Sequence, residues 1–184
     1  MRKLILSALA LAMGVFVHAQ NNTSTVNNGG TSFTSNESDI TVDQIGLTNS
    51  STVRTSGTNN DANIMQNGTS NRSTVQMNAN NPAGVRNFTD VNQRGTENFN
   101  NAYITGRSGQ SFDNRIFVEQ RGERNNDSRR GPSPNRTTDV MGTGNRVNSV
   151  QVGDDNLSLF VVDGAGNRAI VDQNCTGHES FVNE

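Results

Sequence analysis

An eleven-residue repeat constrains the fold of this chain more than any other feature of its sequence. The pattern Gln-x-Gly-x-x-Asn at 151–156 is followed eleven residues later by Val-x-Gly-x-x-Asn at 162–167. The same frame extends back to 140–145 and forward to 173–178, and two such half-units make a unit of 22 residues. A fixed period of this length is typical of a fold built from stacked, equivalent pieces. The sequence therefore predicts a stacking fold whose function is assembly rather than catalysis.

Each half-unit is predicted to be a strand followed by an arc. Ile40, Val42 and Gln44 lie two residues apart and so share one face of a strand. A glycine follows at a fixed offset, where the chain must turn and where positive φ costs glycine little. The predicted arc glycines are Gly46, Gly68, Gly95, Gly122, Gly153 and Gly164.

Stacking at the usual strand spacing of about 4.7–4.9 Å places equivalent residues of successive units above one another. Gln44 then lies beneath Gln66, and Asn49 lies beneath Asn71. Amide side chains in such a column can bond to their own copies in the units above and below. The predicted ladder residues are Gln44, Asn49, Gln66, Asn71, Gln93, Asn98, Gln120, Asn125, Gln151, Asn156, Asn167 and Gln173.

Composition alone would favour disorder, because the chain has no Trp, 30% hydrophobic residues and 18 Gly. Asn-rich segments with β-prone residues between them can instead form ladders of stacked side chains. The regular period favours the ladder.

The chain is predicted to divide into three parts. Residues 1–19 have the basic start, apolar run and small-residue end of a secretory signal peptide. Residues 20–37 are predicted to be a flexible polar leader, and residues 38–184 the repeat region. Its phase breaks at insertions near 80–84, 107–110 and 128–136, which we expect to bulge from the stack as loops. The three prolines, which cannot donate to a strand ladder, lie in the first and third insertions.

One strand carries apolar residues on both faces. Leu157, Leu159 and Val161 should point outward from it and form an exposed patch, unless a C-terminal loop or an insertion covers them. We interpret these three residues as a candidate contact surface for a second chain or for the cell surface.

No residue pattern indicates catalysis, a cofactor, a metal site or a small-molecule substrate. His178 and Cys175 are too close in sequence, and have too few potential partners, to form a nucleophile site or a zinc site. Cys175 is the only cysteine, so an internal disulfide is excluded, while an intermolecular bridge stays open. The net charge is −2 and basic residues alternate with acids, which argues against nucleic-acid binding.

The repeat resembles the curlin family, whose motif reads Ser-x5-Gln-x-Gly-x2-Asn-x-Ala-x3-Gln. Five copies of its central part, at 44–49, 66–71, 93–98, 120–125 and 151–156, carry the resemblance, which covers nearly all of residues 38–184. The resemblance implies an all-β fold, a β-solenoid of parallel, in-register strand–arc–strand rungs with two facing sheets, which becomes cross-β on assembly.

The resemblance also implies a function and partners. Curlin subunits are secreted by bacteria and stack end to end into extracellular amyloid fibres that serve adhesion and the biofilm matrix. The implied partners are further copies of the chain, a homologous major or nucleating subunit, and an outer-membrane secretion channel with its accessory proteins. The glutamine that the family motif carries in its second strand is replaced in this sequence. Two roles therefore remain possible for the chain: a bulk fibre subunit, or a minor subunit that nucleates or caps the fibre. The replacing residues are Thr55, Met77, Ile104 and Val162.

A monomeric solenoid, such as an adhesin or an ice- or cation-binding module, is the alternative from another functional class. It would require a regular outward array of Thr or Asp. The outward positions are mixed, so this alternative ranks behind the fibre subunit; they include Asp43, Arg54, Met65, Tyr103 and Phe117.

Overall fold

A computed structural model describes residues 21–28, 35–36, 38–77, 86–105, 112–126 and 138–184. Every regular element in these ranges is a β-strand, and no helix suited to crossing a membrane occurs among them. The strands are β1 (Thr23–Asn28), β2 (Ser35–Asn36), β3 (Ile40–Leu47), β4 (Ser50–Thr55), β5 (Gly57–Thr58), β6 (Asp61–Thr69), β7 (Arg72–Met77), β8 (Phe88–Thr96), β9 (Phe99–Thr105), β10 (Arg115–Glu123), β11 (Thr138–Thr143), β12 (Arg146–Val152), β13 (Leu157–Ala165), β14 (Arg168–Asn174) and β15 (Glu179–Asn183).

The chain alternates between two parallel sheets. A seven-stranded sheet has the order β1-β4-β7-β9-β11-β13-β15, and a six-stranded sheet has the order β14-β12-β10-β8-β6-β3. One strand of each sheet, with the arcs that join them, makes one rung. The short strands β2 and β5 pair separately. The predicted β-solenoid of parallel, in-register rungs is confirmed.

Most strands between the two ends of the stack place alternate side chains inside it. In β7 and β9 every second residue is buried, and the intervening residues are exposed or half-buried. Apolar side chains from both sheets meet in one continuous core, and burying each larger one contributes about 1.5–3 kcal/mol. Its largest members, Ile64, Met77, Ile104, Ile116 and Phe160, are fully buried.

The register gives the length of each phase break. Gln44 pairs with Gln66 at a separation of 22 residues, as expected for an uninterrupted unit. The next separations along this column are 27, 27, 31 and 22 residues. The three longer values agree with insertions of five, five and nine residues. The insertions themselves, near 80–84, 107–110 and 128–136, lie outside the described residues, as does the signal segment 1–19.

The third insertion interrupts a strand rather than an arc. Asn126 bridges Phe99 of β9 and Leu157 of β13, at the beginning of those two strands. Thr138 pairs with Ala102 further along β9, so Asn126 and β11 occupy the place of a single strand. Asn126 and Thr138 therefore lie three positions apart in one strand of the seven-stranded sheet, although twelve positions separate them in the sequence.

The structure differs from the predicted leader. Residues 20–37 were expected to be flexible, but β1 pairs with β4 over six residues, from Thr23↔Ser50 to Asn28↔Thr55. The Gln-x-Gly-x-x-Asn pattern does not reach this segment, although Ser24 and Val26 match Ser51 and Val53 of the next rung. The seven-stranded sheet thus begins before the recognisable repeat.

Candidate functional site: the stacking ladders

A column of six glutamines runs through the stack from β3 to β14. The Nε2 of each glutamine donates to the Oε1 of the glutamine in the next rung, at 2.7–3.0 Å. Its middle members are fully buried, and all six lie where the sequence predicted them: Gln44, Gln66, Gln93, Gln120, Gln151 and Gln173. All bonds point the same way along the stack, so the ladder has a direction.

The second amide hydrogen of each glutamine joins the two sheets. Gln66 Nε2 also donates to the Ser50 carbonyl at 3.1 Å, and Gln93 Nε2 donates to the Arg72 carbonyl at 3.0 Å. These acceptors begin strands of the seven-stranded sheet, whereas the glutamines belong to the six-stranded sheet. Each buried amide therefore binds one neighbour above it and one across the core, which offsets the cost of its desolvation. The sequence predicted the first bond but not the second.

A column of asparagines occupies the arcs that lead from the six-stranded to the seven-stranded sheet, here called the first arcs. The Oδ1 of each asparagine accepts the backbone N–H of its counterpart in the next rung, at 2.9–3.2 Å. The predicted members are Asn49, Asn71, Asn98, Asn125 and Asn156. Asn22, in the polar segment before the repeat, supplies the first acceptor of this column.

The Nδ2 groups of this column bind arc carbonyls. Asn98 Nδ2 donates to the Arg94 carbonyl of its own arc at 3.3 Å and to the Gly122 carbonyl of the next arc at 3.0 Å. Asn125 likewise donates to the carbonyls of Arg121 and Gly153. A single side chain thus closes its own arc and holds the next one in place.

A second asparagine column lies in the opposite arcs, which return the chain to the six-stranded sheet and are here called the second arcs. Its Oδ1 atoms accept the next rung's backbone N–H at 2.9–3.2 Å. Asn167, predicted as a ladder residue, belongs to this column. The other members were not among the predicted ladder residues: Asn60, Asn87, Asn114 and Asn145. The signal was present in the sequence, because these residues precede each ladder glutamine by six positions.

The predicted arc glycines all have positive φ, between 107° and 133°. The first-arc glycines stack directly on one another. A Cβ on Gly46 or Gly68 would lie 2.0 Å from the carbonyl oxygen of the glycine in the next rung. Only glycine allows rungs to approach so closely, so this column is required by the stack as well as by the turn.

Most arcs contain a second left-handed residue that is not glycine, which the sequence did not predict. Eight such residues have φ of 54–57°, including Thr48, Ser70, Glu97, Arg124 and Asp155 of the first arcs. Each left-handed conformation costs backbone energy, so the surrounding rungs must stabilise it. Side chains of this column also contact each other, since Thr48 Oγ1 lies 2.9 Å from Ser70 Oγ.

The same corner carries an ion pair between rungs. Arg124 donates from Nε and Nη2 to the two carboxylate oxygens of Asp155, at 2.7 and 2.9 Å. These hydrogen bonds are the main reason that the pKa of Asp155 lies below its ordinary value. Because both groups are exposed, the ion pair adds little to stability, and its main effect is to align the two rungs.

The inner position at the end of the strands of the seven-stranded sheet forms an apolar column from β7 to β13. Met77, Ile104, Val140 and Val162 follow one another there and are fully buried. In the described part of the chain the stack therefore has one glutamine ladder, and apolar packing fills the equivalent position of the other sheet.

Of the two alternatives left open for Leu157, Leu159 and Val161, an exposed patch or a patch covered by a C-terminal segment, the structure has the covered one. Leu159 is only 5% exposed, and Leu157 and Val161 are half-buried. The C-terminal strand β15 lies beside them and pairs Leu159 with Phe181. The exposed apolar side chain of this region is Phe181, at 62%. An outward position on a strand does not guarantee exposure when a further strand packs beside it.

Cys175 is exposed and has no disulfide partner among the described residues. No group of three His, Cys, Asp or Glu side chains that could hold a metal ion occurs in the described part of the chain. Comparison with known proteins finds no matching family model, no matching curated protein and no matching solved structure.

Proposed function

We propose that this chain is a secreted, self-assembling subunit of extracellular, curli-like amyloid fibres that serve bacterial adhesion and the biofilm matrix. The observation that carries the proposal is the continuity of the ladders. Glutamine and asparagine columns run from the first rungs to the last, and the rungs use their neighbours to satisfy buried amides. A rung of a second molecule can extend the same columns.

The ends of the stack support this proposal. The terminal strands β1 and β3 at one end, and β14 and β15 at the other, are sheet edges among the described residues. Such edges carry open backbone groups that bind a further strand. Val26 of β1 belongs to the inner column of Val53 and Val75, yet it is 49% exposed because no described rung covers it. An apolar interior position left open at the end of a stack favours a further molecule there.

The partners follow from this assembly mode and from the resemblance of the repeat. They are further copies, a homologous subunit with the same rung spacing, and the outer-membrane channel that would export the unfolded chain.

The test uses residues 20–184, incubated alone and with fragmented fibres as seeds. We expect thioflavin-positive fibres that diffract at the strand spacing of about 4.7–4.9 Å. Val26→Lys should slow seeded elongation at least tenfold, because the charge would be buried between molecules. Ile45→Lys is the matched control, since Ile45 is 51% exposed at the same end but points outward, and it should change the rate less than twofold.

A chain that stays monomeric at high concentration with seeds present would contradict the proposal. Equal slowing by the two lysine variants would contradict the role of the β1 end.

A further inference from the structure

The outer face of the six-stranded sheet carries a groove that the ladders do not use, here called the outer groove. Its volume is about 410 Å³, within the range of about 300–1,000 Å³ that is typical of small-molecule sites. Its lining comes from β8, β10, β12 and β14, which are neighbours in the sheet. The side chains that border it include Asp90, Phe117, Glu119, Arg146, Arg168 and Ile170.

A short side chain between two large apolar ones gives the outer groove its shape. Phe117, Asn148 and Ile170 are register partners on β10, β12 and β14, so two strand spacings of about 4.7–4.9 Å separate Phe117 from Ile170. Phe117 is 37% exposed and Ile170 51% exposed. Phe88 supports the ring of Phe117 from the preceding rung, with ring centroids 5.4 Å apart. An amide floor therefore lies between two apolar walls.

Two arginines border the same groove without a counter-charge. Arg146 and Arg168 are register partners on β12 and β14, and Arg115 precedes them in the same column. All three side chains are exposed, and like charges at directly neighbouring strand positions repel one another. None of the three forms an ion pair with another described residue, whereas other arginines of the chain do. This column therefore favours an anion from outside the chain.

Both carboxylates of the lining already have partners. Glu119 forms an ion pair with Arg121. Asp90 accepts a hydrogen bond from Asn63 Nδ2 at 3.2 Å, and burial raises its pKa, which favours its neutral form. The carboxylate oxygens can accept further hydrogen bonds from hydroxyl groups. The unpaired charge of the outer groove is thus positive and lies on β12 and β14.

From this arrangement we propose that the outer groove binds a uronic acid unit of an acidic polysaccharide. The apolar face of the sugar ring packs between Phe117 and Ile170, while a few polar groups fix its orientation. The sugar carboxylate accepts charge-assisted hydrogen bonds from Arg146 and Arg168. The ring hydroxyls bind Asn148 and the two carboxylates of the lining.

The charges of the lining favour a sugar acid over a nucleic acid. A nucleic acid carries a phosphate on every nucleotide, and its binding depends on several unopposed cations. Two arginines face two carboxylates across the outer groove, and those carboxylates would repel a phosphate backbone. A uronic acid has one carboxylate per ring, and its hydroxyls can donate to Asp90 and Glu119. The groove lies on one chain, so this inference does not require the proposed assembly.

The test measures the binding of fluorescently labelled tetragalacturonate to the full chain by fluorescence anisotropy. Arg146→Gln/Arg168→Gln should weaken binding at least tenfold, because both charge-assisted contacts are lost. Arg54→Gln/Arg94→Gln is the matched control. It removes the same charge from two exposed arginines outside the outer groove, and it should change the dissociation constant less than twofold.

A second pair of variants separates shape from charge. Asn148→Phe keeps every charge but fills the space between Phe117 and Ile170, so it should also weaken binding at least tenfold. Gln76→Phe adds the same side chain to the outer face of β7 in the other sheet and should change binding less than twofold. Far-UV circular dichroism should match wild type in all four variants, because every substituted side chain points outward.

Two further ligands identify the chemical class. The carboxyl-reduced, neutral tetrasaccharide and an oligothymidylate of equal charge should each bind at least tenfold more weakly than tetragalacturonate. Equal binding of the neutral sugar would contradict the role of the arginines. Equal or tighter binding of the oligothymidylate would contradict a sugar site.

Absence of saturable binding to tetragalacturonate, or equal losses in the variants and their controls, would contradict the site itself. None of these readouts depends on whether the chain forms fibres, so the proposed function stands or fails separately.

Discussion

At the residue scale, the first-arc glycines are the positions where the stack tolerates no side chain. Each meets two independent constraints, positive φ and the carbonyl of the next rung. The chain offers a way to separate them, because Gly166 has φ of 75° but nothing within 4 Å of an added Cβ.

We expect Gly95→Ala to lower the free energy of unfolding by about 3–5 kcal/mol, since a left-handed alanine and a forced shift of the Gly122 carbonyl both cost energy. Gly166→Ala, with the first cost alone, should lose about 1–2 kcal/mol. Urea titration of the two variants checks the difference. Equal losses would show that the close approach of the arcs is not the main constraint.

Asp90 is the residue for which burial opposes ionisation. It lies on the outer face of β8, accepts a hydrogen bond from Asn63 Nδ2 at 3.2 Å, and its pKa is raised mainly by burial, with a contribution from Glu119. A raised pKa means that the folded state binds the proton more tightly than the unfolded state does. The resulting stability is present below the ordinary pKa of 3.8 and is lost as the pH rises through the folded value.

Asp90→Asn removes this loss, because the amide is neutral at every pH and can still accept from Asn63. The variant should therefore be more stable than wild type at pH 7 and should lack the decline that begins above pH 3.8. Urea unfolding at a series of pH values measures this. Asp43→Asn, on the exposed outer face of β3, should leave that decline in place. A variant that is less stable at pH 7 than wild type would contradict the assignment.

At the element scale, the glutamine column is what couples one strand pair to the next. Gln93 receives a bond from Gln66, donates to Gln120, and also donates to the Arg72 carbonyl of the other sheet. Removing one member therefore leaves partners without bonds in three places.

We expect Gln93→Leu to cost about 3 kcal/mol or more, because each buried group left without a partner costs about 1–3 kcal/mol. Gln76→Leu is the matched control. Gln76 lies on the outer face of β7, so the same substitution should change the free energy of unfolding by less than about 0.5 kcal/mol. Similar values for the two variants would mean that the ladder contributes no more than a surface amide does.

At the scale of the whole molecule, the fold is a sum of rungs and of the contacts between them. Arg72 is the register partner of Ser50, so deleting residues 50–71 joins Asn49 to a residue that continues the same strand position. The glutamine and asparagine columns stay complete, one rung shorter.

We expect the chain lacking residues 50–71 to fold and to unfold cooperatively, with a smaller dependence on urea because it exposes less surface. Deleting residues 50–60 instead moves all later strands to the opposite sheets and places Met77 over Gln44. Although this chain is eleven residues longer, it should be the less stable of the two. Far-UV circular dichroism and urea titration of both deletions would decide this, and the reverse order would contradict the rung arrangement.

The sequence by itself determined the strands, their register and the arcs. An eleven-residue period repeats the same residue types at the same height, so Gln44, Asn49 and Gly46 could be matched with Gln66, Asn71 and Gly68 without coordinates. The lengths of the phase breaks followed from the same count. These features depend on spacing along the chain, which the sequence states directly.

The tertiary structure alone decided what lies beside and across each rung. The burial of Leu159, the bond from Gln93 to the Arg72 carbonyl, the added strand β1 and the placement of Asn126 and Thr138 in one strand all depend on neighbours that the period does not specify. The left-handed corners at Thr48 and Asp155 belong to this group, because only the stacked arcs on either side hold such residues in that conformation. Spacing gives the height of a residue in the stack, whereas its environment is set by the strands and arcs of neighbouring rungs.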